Sequence, residues 1–163
     1  MVELEEFIGC TIKCNFTKMN LNISQLDIIK KMTQGFNKDV KLIMTFNTPD
    51  TPHQGIVCNQ EKYTNISENL QKIYRSGVVS LLYLFKHTEP ALSKVGCELS
   101  KCMDKENMSH YKALLYATKY KIDTKDYCYW MKPDKNINGK QELRGYSDAD
   151  YAGDNENRKI VTR

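Results

Sequence analysis

The sequence predicts an α+β fold, and three observations support this. Two short segments flank a polar turn near the N-terminus, three apolar stripes with helical spacing occupy the middle, and strand-like segments rich in Gly and Asp follow. We therefore predict four parts. Residues 1–36 form a β-hairpin and a helix, residues 37–66 an extended connector, residues 67–125 three helices, and residues 126–163 the C-terminal strands.

The first part begins with a β-hairpin. Residues 7–13 and 19–23 flank a polar turn at 15–18, which suggests a β-hairpin. Ser24 follows, and serine is a favoured N-cap residue because its side chain accepts a hydrogen bond from the first helical turn. A helix is therefore predicted from Ser24 to about Phe36.

The connector and the three helices follow from local composition and periodicity. Pro49, Pro52 and Gly55 interrupt residues 37–66, which predicts an extended segment and a domain boundary. Pro90 suits the first turn of a helix, and Ser109 is predicted to cap another. The three buried stripes are Tyr74, Val78, Leu81 and Phe85; Leu92, Val95, Leu99 and Met103; and Tyr111, Leu115, Thr118 and Ile122.

The C-terminal part concentrates carboxylates. Residues 127–131 and 142–148 are predicted strands, and Asp148, Asp150 and Asp154 fall within seven positions at the end of the second. Carboxylate oxygens are the ligands that a hard cation such as Mg²⁺ prefers, so the cluster indicates a metal site. The alternative is a solvated turn, in which Asp and Gly are equally common.

Lysines are concentrated in one segment. Residues 101–140 carry nine lysines and five acids, a net charge of +4, which equals the net charge of the whole chain. Lys112, Lys119, Lys121 and Lys125, together with Tyr120, could follow a phosphate backbone with aromatic support. The alternative is a solvated amphipathic helix with half-buried tyrosines.

Composition excludes several other classes of protein. The six cysteines lack paired zinc-finger spacing or a disulfide framework, which indicates reduced thiols. The sequence has no run of 18 apolar residues and no signal-peptide pattern at its N-terminus. We therefore expect an intracellular protein, cytoplasmic or nuclear, that is not secreted and has no membrane partner.

The C-terminal motif resembles a known family. Residues 145–154 read Gly-Tyr-Ser-Asp-Ala-Asp-Tyr-Ala-Gly-Asp and are followed by Arg158-Lys159. This segment resembles the opening strand of the ribonuclease H domain in copia-type LTR retrotransposon Pol polyproteins. Upstream segments resemble the same family in the same order, at residues 4–9, 21–25, 74–84, 87–90, 99–103 and 110–113. The resemblance runs from about residue 3 to residue 162.

The resemblance implies a site and an ancestral activity. Asp148 aligns with the first ribonuclease H carboxylate and would be a Mg²⁺ ligand in an intact relative, whereas Asp150 and Asp154 are weaker candidates for metal ligands. The polymerase motif of the family, Tyr-Val-Asp-Asp, is not found here, since no Asp-Asp pair occurs in the 163 residues. The chain thus resembles the end of a reverse transcriptase region and the incomplete sheet of a ribonuclease H-like domain.

From the same resemblance we expect no catalysis by the chain alone and no cofactor. The ancestral role would be RNA-templated DNA synthesis and degradation of RNA–DNA hybrids. The alternative is a lysine-rich helical module that binds nucleic acid without catalysis. Expected partners are an RNA–DNA hybrid or duplex, bound weakly, and a second copy of the chain through exposed apolar faces. Val79, Glu89 and Ala91 depart from the family pattern and indicate decay.

Overall fold

The computed structural model describes residues 5–43, 51–52, 66–132, 149–150 and 161–162, and side chains within 5–36, 51–52 and 66–132. It confirms the α+β class, with helices and antiparallel strands in one chain. Two compact units are present, Met1–Lys132 and Pro133–Arg163.

An antiparallel sheet opens the first unit. Its strands are β1 (Glu6–Phe7), β2 (Cys10–Asn15), β3 (Asn20–Ser24) and β4 (Tyr129–Met131), in the order β1-β2-β3-β4. Strands β2 and β3 form the predicted hairpin.

The turn between β1 and β2 has an unusual backbone. Ile8 and Gly9 both have positive φ, 49° and 63°, which a two-residue hairpin turn requires but a β-branched residue rarely adopts. The hydroxyl of Tyr83 donates a hydrogen bond to the Ile8 carbonyl, which links this turn to the helices.

The helices of this unit are α1 (Leu26–Ile43), α2 (Glu68–His87), α3 (Ser93–Lys101) and α4 (Met108–Asp123), with a short 3₁₀ helix at Pro90–Leu92. The prediction for α1 was wrong at both ends. Ser24 ends β3 rather than preceding the helix, and α1 continues seven residues past Phe36 into the predicted connector. Residues 44–50 and 53–65 of that connector lie outside the described residues.

The core lies among the four helices and confirms the three predicted stripes. Tyr74, Val78 and Leu81 of α2 are fully buried, and residues of α1 belong to the same buried cluster. The Tyr74 hydroxyl is also satisfied, since it donates to the Leu99 carbonyl at 2.8 Å. Thr118 is also buried, as a polar residue. The remaining residues of the predicted stripes are buried or partly buried in the same cluster: Leu92, Val95, Leu99, Tyr111, Leu115, Phe85, Met103 and Ile122.

Asn107, not Ser109, caps α4. The Asn107 side chain accepts from the backbone N–H of His110 at 3.0 Å, and His110 Nδ1 accepts from the backbone N–H of Asn107 at 3.3 Å. Burial lowers the pKa of His110 below its ordinary value, against the opposing effect of Glu106. His110 is thus a structural capping residue, because a neutral Nδ1 is needed to accept this hydrogen bond.

The C-terminal strands differ from the prediction. β4 pairs with β3, with Ile23 opposite Tyr129 and Leu21 opposite Met131, so it belongs to the N-terminal sheet. The predicted strand at 142–148 lies outside the described residues. In the second unit, β5 (Ala149–Asp150) pairs antiparallel with β6 (Val161–Thr162).

In the part of the chain that the structure describes, no helix is both long and apolar enough to cross a bilayer.

Candidate nucleic-acid interface

The structure leaves the predicted metal site untested. Asp148 and Asp154 lie outside the described residues, and Asp150 is described only as backbone in β5. Among the described residues, no three His, Cys, Asp or Glu side chains come together as a metal site. The assignment of Asp148 and Asp150 as the positions of metal ligands in intact relatives therefore stays a prediction.

Two of the four predicted nucleic-acid-binding lysines are buried within α4. Lys119 is 5% exposed and its ammonium donates to the Asp123 carboxylate one turn further on. Lys121 is 2% exposed and donates to the Glu89 carboxylate, which precedes the 3₁₀ helix. A lysine that is enclosed and already paired presents no ammonium to a phosphate. Lys119 and Lys121 therefore do not belong to the predicted exposed row, because each ammonium is paired with a neighbouring carboxylate.

Tyr120 lies between these two ion pairs. Burial raises the pKa of the Tyr120 phenol, and the charges of Glu89 and Tyr127 raise it further. The ring packs partly buried against the helical core. Tyr120 is therefore a packing residue in this structure, with little ring surface for a base to stack on.

Lys112 and Lys125 are exposed. Lys125 lines a groove of about 690 Å³ between α1 and the end of α4, together with Lys30, Asp123 and Asp126. Both signs of charge line this groove, so it does not favour an extended polyanion. Of the five predicted residues, only Lys112 and Lys125 are exposed, and a phosphate contact by either stays a prediction.

A different part of the molecule carries unpaired positive charge. Residues 10–24 and 128–132, which include strands β2, β3 and β4, hold Lys13, Lys18 and Lys132 and no carboxylate. Trp130 lies among them, 53% exposed. Sequence analysis missed this surface because its two segments are more than 100 residues apart. The absence of acids in each segment was the available signal.

The chain is similar to a curated protein over nearly its whole length. It is 29% identical, over 97% of its residues, to the retrovirus-related Pol polyprotein from transposon TNT 1-94 of Nicotiana tabacum. The chain spans 12% of the length of that relative. No protein-family model matches the chain, and no solved structure matches it. The similarity supports the interpretation of the chain as part of a retrotransposon Pol polyprotein.

Proposed function

We propose that this chain is the part of a retrotransposon Pol polyprotein that lies between the polymerase and ribonuclease H active sites. The observation that carries the proposal is the 29% identity along 97% of the chain to a transposon Pol polyprotein. Residues 145–154 add support, because they resemble the first ribonuclease H strand with Asp148 at the position of its first carboxylate.

We also propose that the chain catalyses neither reaction by itself. A two-metal phosphodiester site needs carboxylates from several segments of the chain to hold both ions. The 163 residues contain no Asp-Asp pair of the polymerase type. The proposed role is therefore a scaffold that helps to hold the template–primer within a larger polyprotein.

A cleavage assay tests the absence of catalysis. The purified chain is incubated with an RNA–DNA hybrid, labelled on the RNA strand, in the presence of Mg²⁺ and separately of Mn²⁺. We expect no cleavage above the level of a matched Asp148→Asn preparation. Turnover that disappears in Asp148→Asn would contradict the proposal, whereas turnover that persists would indicate a contaminating nuclease.

The origin of the chain has a separate test. Sequencing the DNA on both sides of the coding region should reveal an upstream Tyr-Val-Asp-Asp codon series and downstream ribonuclease H acids, intact or interrupted. Flanks without any such remnant would contradict a Pol origin.

The second candidate is a nucleic-acid-binding module without catalysis. What favours it is the acid-free surface formed by β2, β3 and β4 rather than the lysines of α4, of which Lys119 and Lys121 are neutralised.

A further inference from the structure

One row of residues crosses three strands on one face of the sheet. Lys13 of β2 lies opposite Asn22 of β3, and Asn22 lies opposite Trp130 of β4. Residues directly opposite one another in antiparallel strands project from the same face. With strands spaced about 5 Å apart, the Cα atoms of Lys13 and Trp130 are separated by roughly 10 Å.

Lys132 completes this group. Its ammonium stands 5.2 Å from the centroid of the Trp130 ring. Both Lys13 and Lys132 are exposed, and Asn22 is half-buried between its neighbours. We call Lys13, Asn22, Trp130 and Lys132 the sheet platform.

Core packing does not explain the tryptophan of the platform. The neighbouring row, Ile12, Ile23 and Tyr129, is apolar and projects from the opposite face, as strand alternation requires. Trp130 therefore lies on the polar face, among lysine and asparagine, and keeps 53% of its surface exposed. An exposed indole beside ammonium groups is the combination on which unpaired bases stack while their phosphates are neutralised.

Charge favours the same ligand. Strands β2, β3 and β4 contain no Asp or Glu, and Lys18 adds a third ammonium in the turn between β2 and β3. One carboxylate borders this face, Glu6 of β1, which lies opposite Thr11. Three ammonium groups against this one carboxylate still favour a polyanion. In contrast, the buried lysines of α4 have carboxylate partners.

We propose that the sheet platform binds single-stranded nucleic acid, with a base stacked on Trp130 and the backbone phosphates beside Lys13 and Lys132. A single strand is favoured over a duplex because the bases of a duplex are stacked on one another and unavailable to the indole. This deepens the proposed function, since it names the surface and the form of nucleic acid that a non-catalytic Pol segment would hold.

Trp130 makes the test direct because it is the only tryptophan in the chain. Oligothymidylate of about 12 nucleotides, within the usual site size of such surfaces, is titrated into the full chain at low salt while tryptophan fluorescence is recorded. We expect saturable quenching. Three lysines at about 0.7 counterions each predict a slope of log affinity against log salt near −2.

Variants then assign the binding to the platform. Anisotropy of a labelled oligonucleotide serves for variants without the indole. Trp130→Ala should weaken binding by about 5- to 150-fold, the range for loss of one stacked base, and Trp130→Phe should retain most of the affinity. Lys13→Gln combined with Lys132→Gln should make the salt slope shallower by about 1.4.

A matched control changes the same charge elsewhere. Lys112→Gln combined with Lys125→Gln removes two exposed lysines outside the sheet and should leave affinity and salt slope unchanged. Circular dichroism confirms that each variant is folded. If Trp130→Ala does not fold, the fluorescence quenching of the unmodified chain and the comparison of the two double lysine variants test the proposal instead.

Three results would contradict the proposal that the sheet platform binds single-stranded nucleic acid. They are no quenching at low salt, equal or tighter binding of a duplex without quenching, and loss of binding in the Lys112 and Lys125 pair alone. None of these would bear on a Pol origin, which the flanking DNA decides. Conversely, hybrid cleavage that depends on Asp148 would contradict the absence of catalysis and leave the platform intact.

Discussion

Glu89 is the residue whose interpretation changes most with the structure. In the family that the sequence resembles, an arginine stands at this position, so an acid there indicated decay. In the structure Glu89 is 7% exposed and receives the ammonium of Lys121, which also contacts the Thr124 carbonyl at 3.4 Å. The charge reversal is therefore accommodated by a buried partner 32 residues further along the chain.

We predict a strong, coupled effect at this pair. Glu89→Leu or Lys121→Met alone leaves a buried charge uncompensated and should lower the free energy of unfolding by about 3–5 kcal/mol. The double variant Glu89→Leu with Lys121→Met removes both charges and should recover most of that loss. Urea denaturation of the four proteins measures the coupling.

The control for this cycle is an exposed pair of the same chemistry. Lys30 and Asp27 form an ion pair at 3.1 Å with side chains 71% and 73% exposed. Asp27→Asn should therefore cost no more than about 1 kcal/mol. Single variants at Glu89 and Lys121 that cost as little as this control would show that the buried pair does not hold the 3₁₀ helix against α4.

At the level of elements, Gly77 of α2 packs tightly against side chains of α1 and α4. A Cβ atom there would lie 2.6 Å from Phe36 Cζ and 2.8 Å from Leu114 Cδ2. Phe36 and Leu114 are themselves 5% and 0% exposed, so neither side chain has open space to move into. Glycine at this position lets α1, α2 and α4 meet around one core.

We predict opposite effects for two Gly→Ala substitutions in helices. Gly77→Ala should destabilise the protein, because overpacking costs about 1–3 kcal/mol and the gain in helix propensity offsets at most about 1 kcal/mol. Gly35→Ala should stabilise it by up to about 1 kcal/mol, since a Cβ at Gly35 meets no atom within 4 Å. Thermal melts of both variants measure the difference. Equal shifts of the same sign would contradict the close packing at Gly77.

The same elements show what the sequence could predict. Periodicity identified α2, α3 and α4 and most of their buried residues, because helical spacing is a local property that each stripe displays by itself. It could not reveal that β4 pairs with β3, since nothing local specifies a partner more than 100 residues away. Likewise, the lysines of α4 were visible in the sequence, but the carboxylate of Glu89 that neutralises Lys121 comes from another element.

At the level of the whole molecule, folding determines which lysines keep an exposed, unpaired ammonium group. The sequence places its excess in residues 101–140, but Lys119 and Lys121 within that segment are paired and enclosed. Strands β2, β3 and β4, with the turn after β2 and the residue after β4, gather three lysines, and the sheet adds one acid, Glu6 of β1. The charge located by sequence thus predicted a nucleic-acid surface on the helix, whereas the proposed platform lies on the sheet.

The core also bears on which part of the chain can fold by itself. Every member of the buried cluster lies between Ile29 and Ala117, within the first compact unit. A segment of this length with one contiguous apolar core is large enough for independent stability. We therefore predict that residues 1–132, expressed alone, fold to a helix-rich state with a cooperative thermal transition by far-ultraviolet circular dichroism.

The thermal melt of residues 1–132 requires a reducing buffer and a core variant for comparison. Leu81→Ala, at a fully buried position, should lower the stability of the 1–132 segment by about 2–5 kcal/mol if the transition reflects this core. Reducing agent prevents the exposed Cys14 and Cys97 from cross-linking different molecules. A broad melt that Leu81→Ala does not shift would mean that the helices and sheet need the rest of the polyprotein to bury their apolar surface. A cooperative melt would instead make the 1–132 segment a self-sufficient scaffold on which the sheet platform can be studied directly.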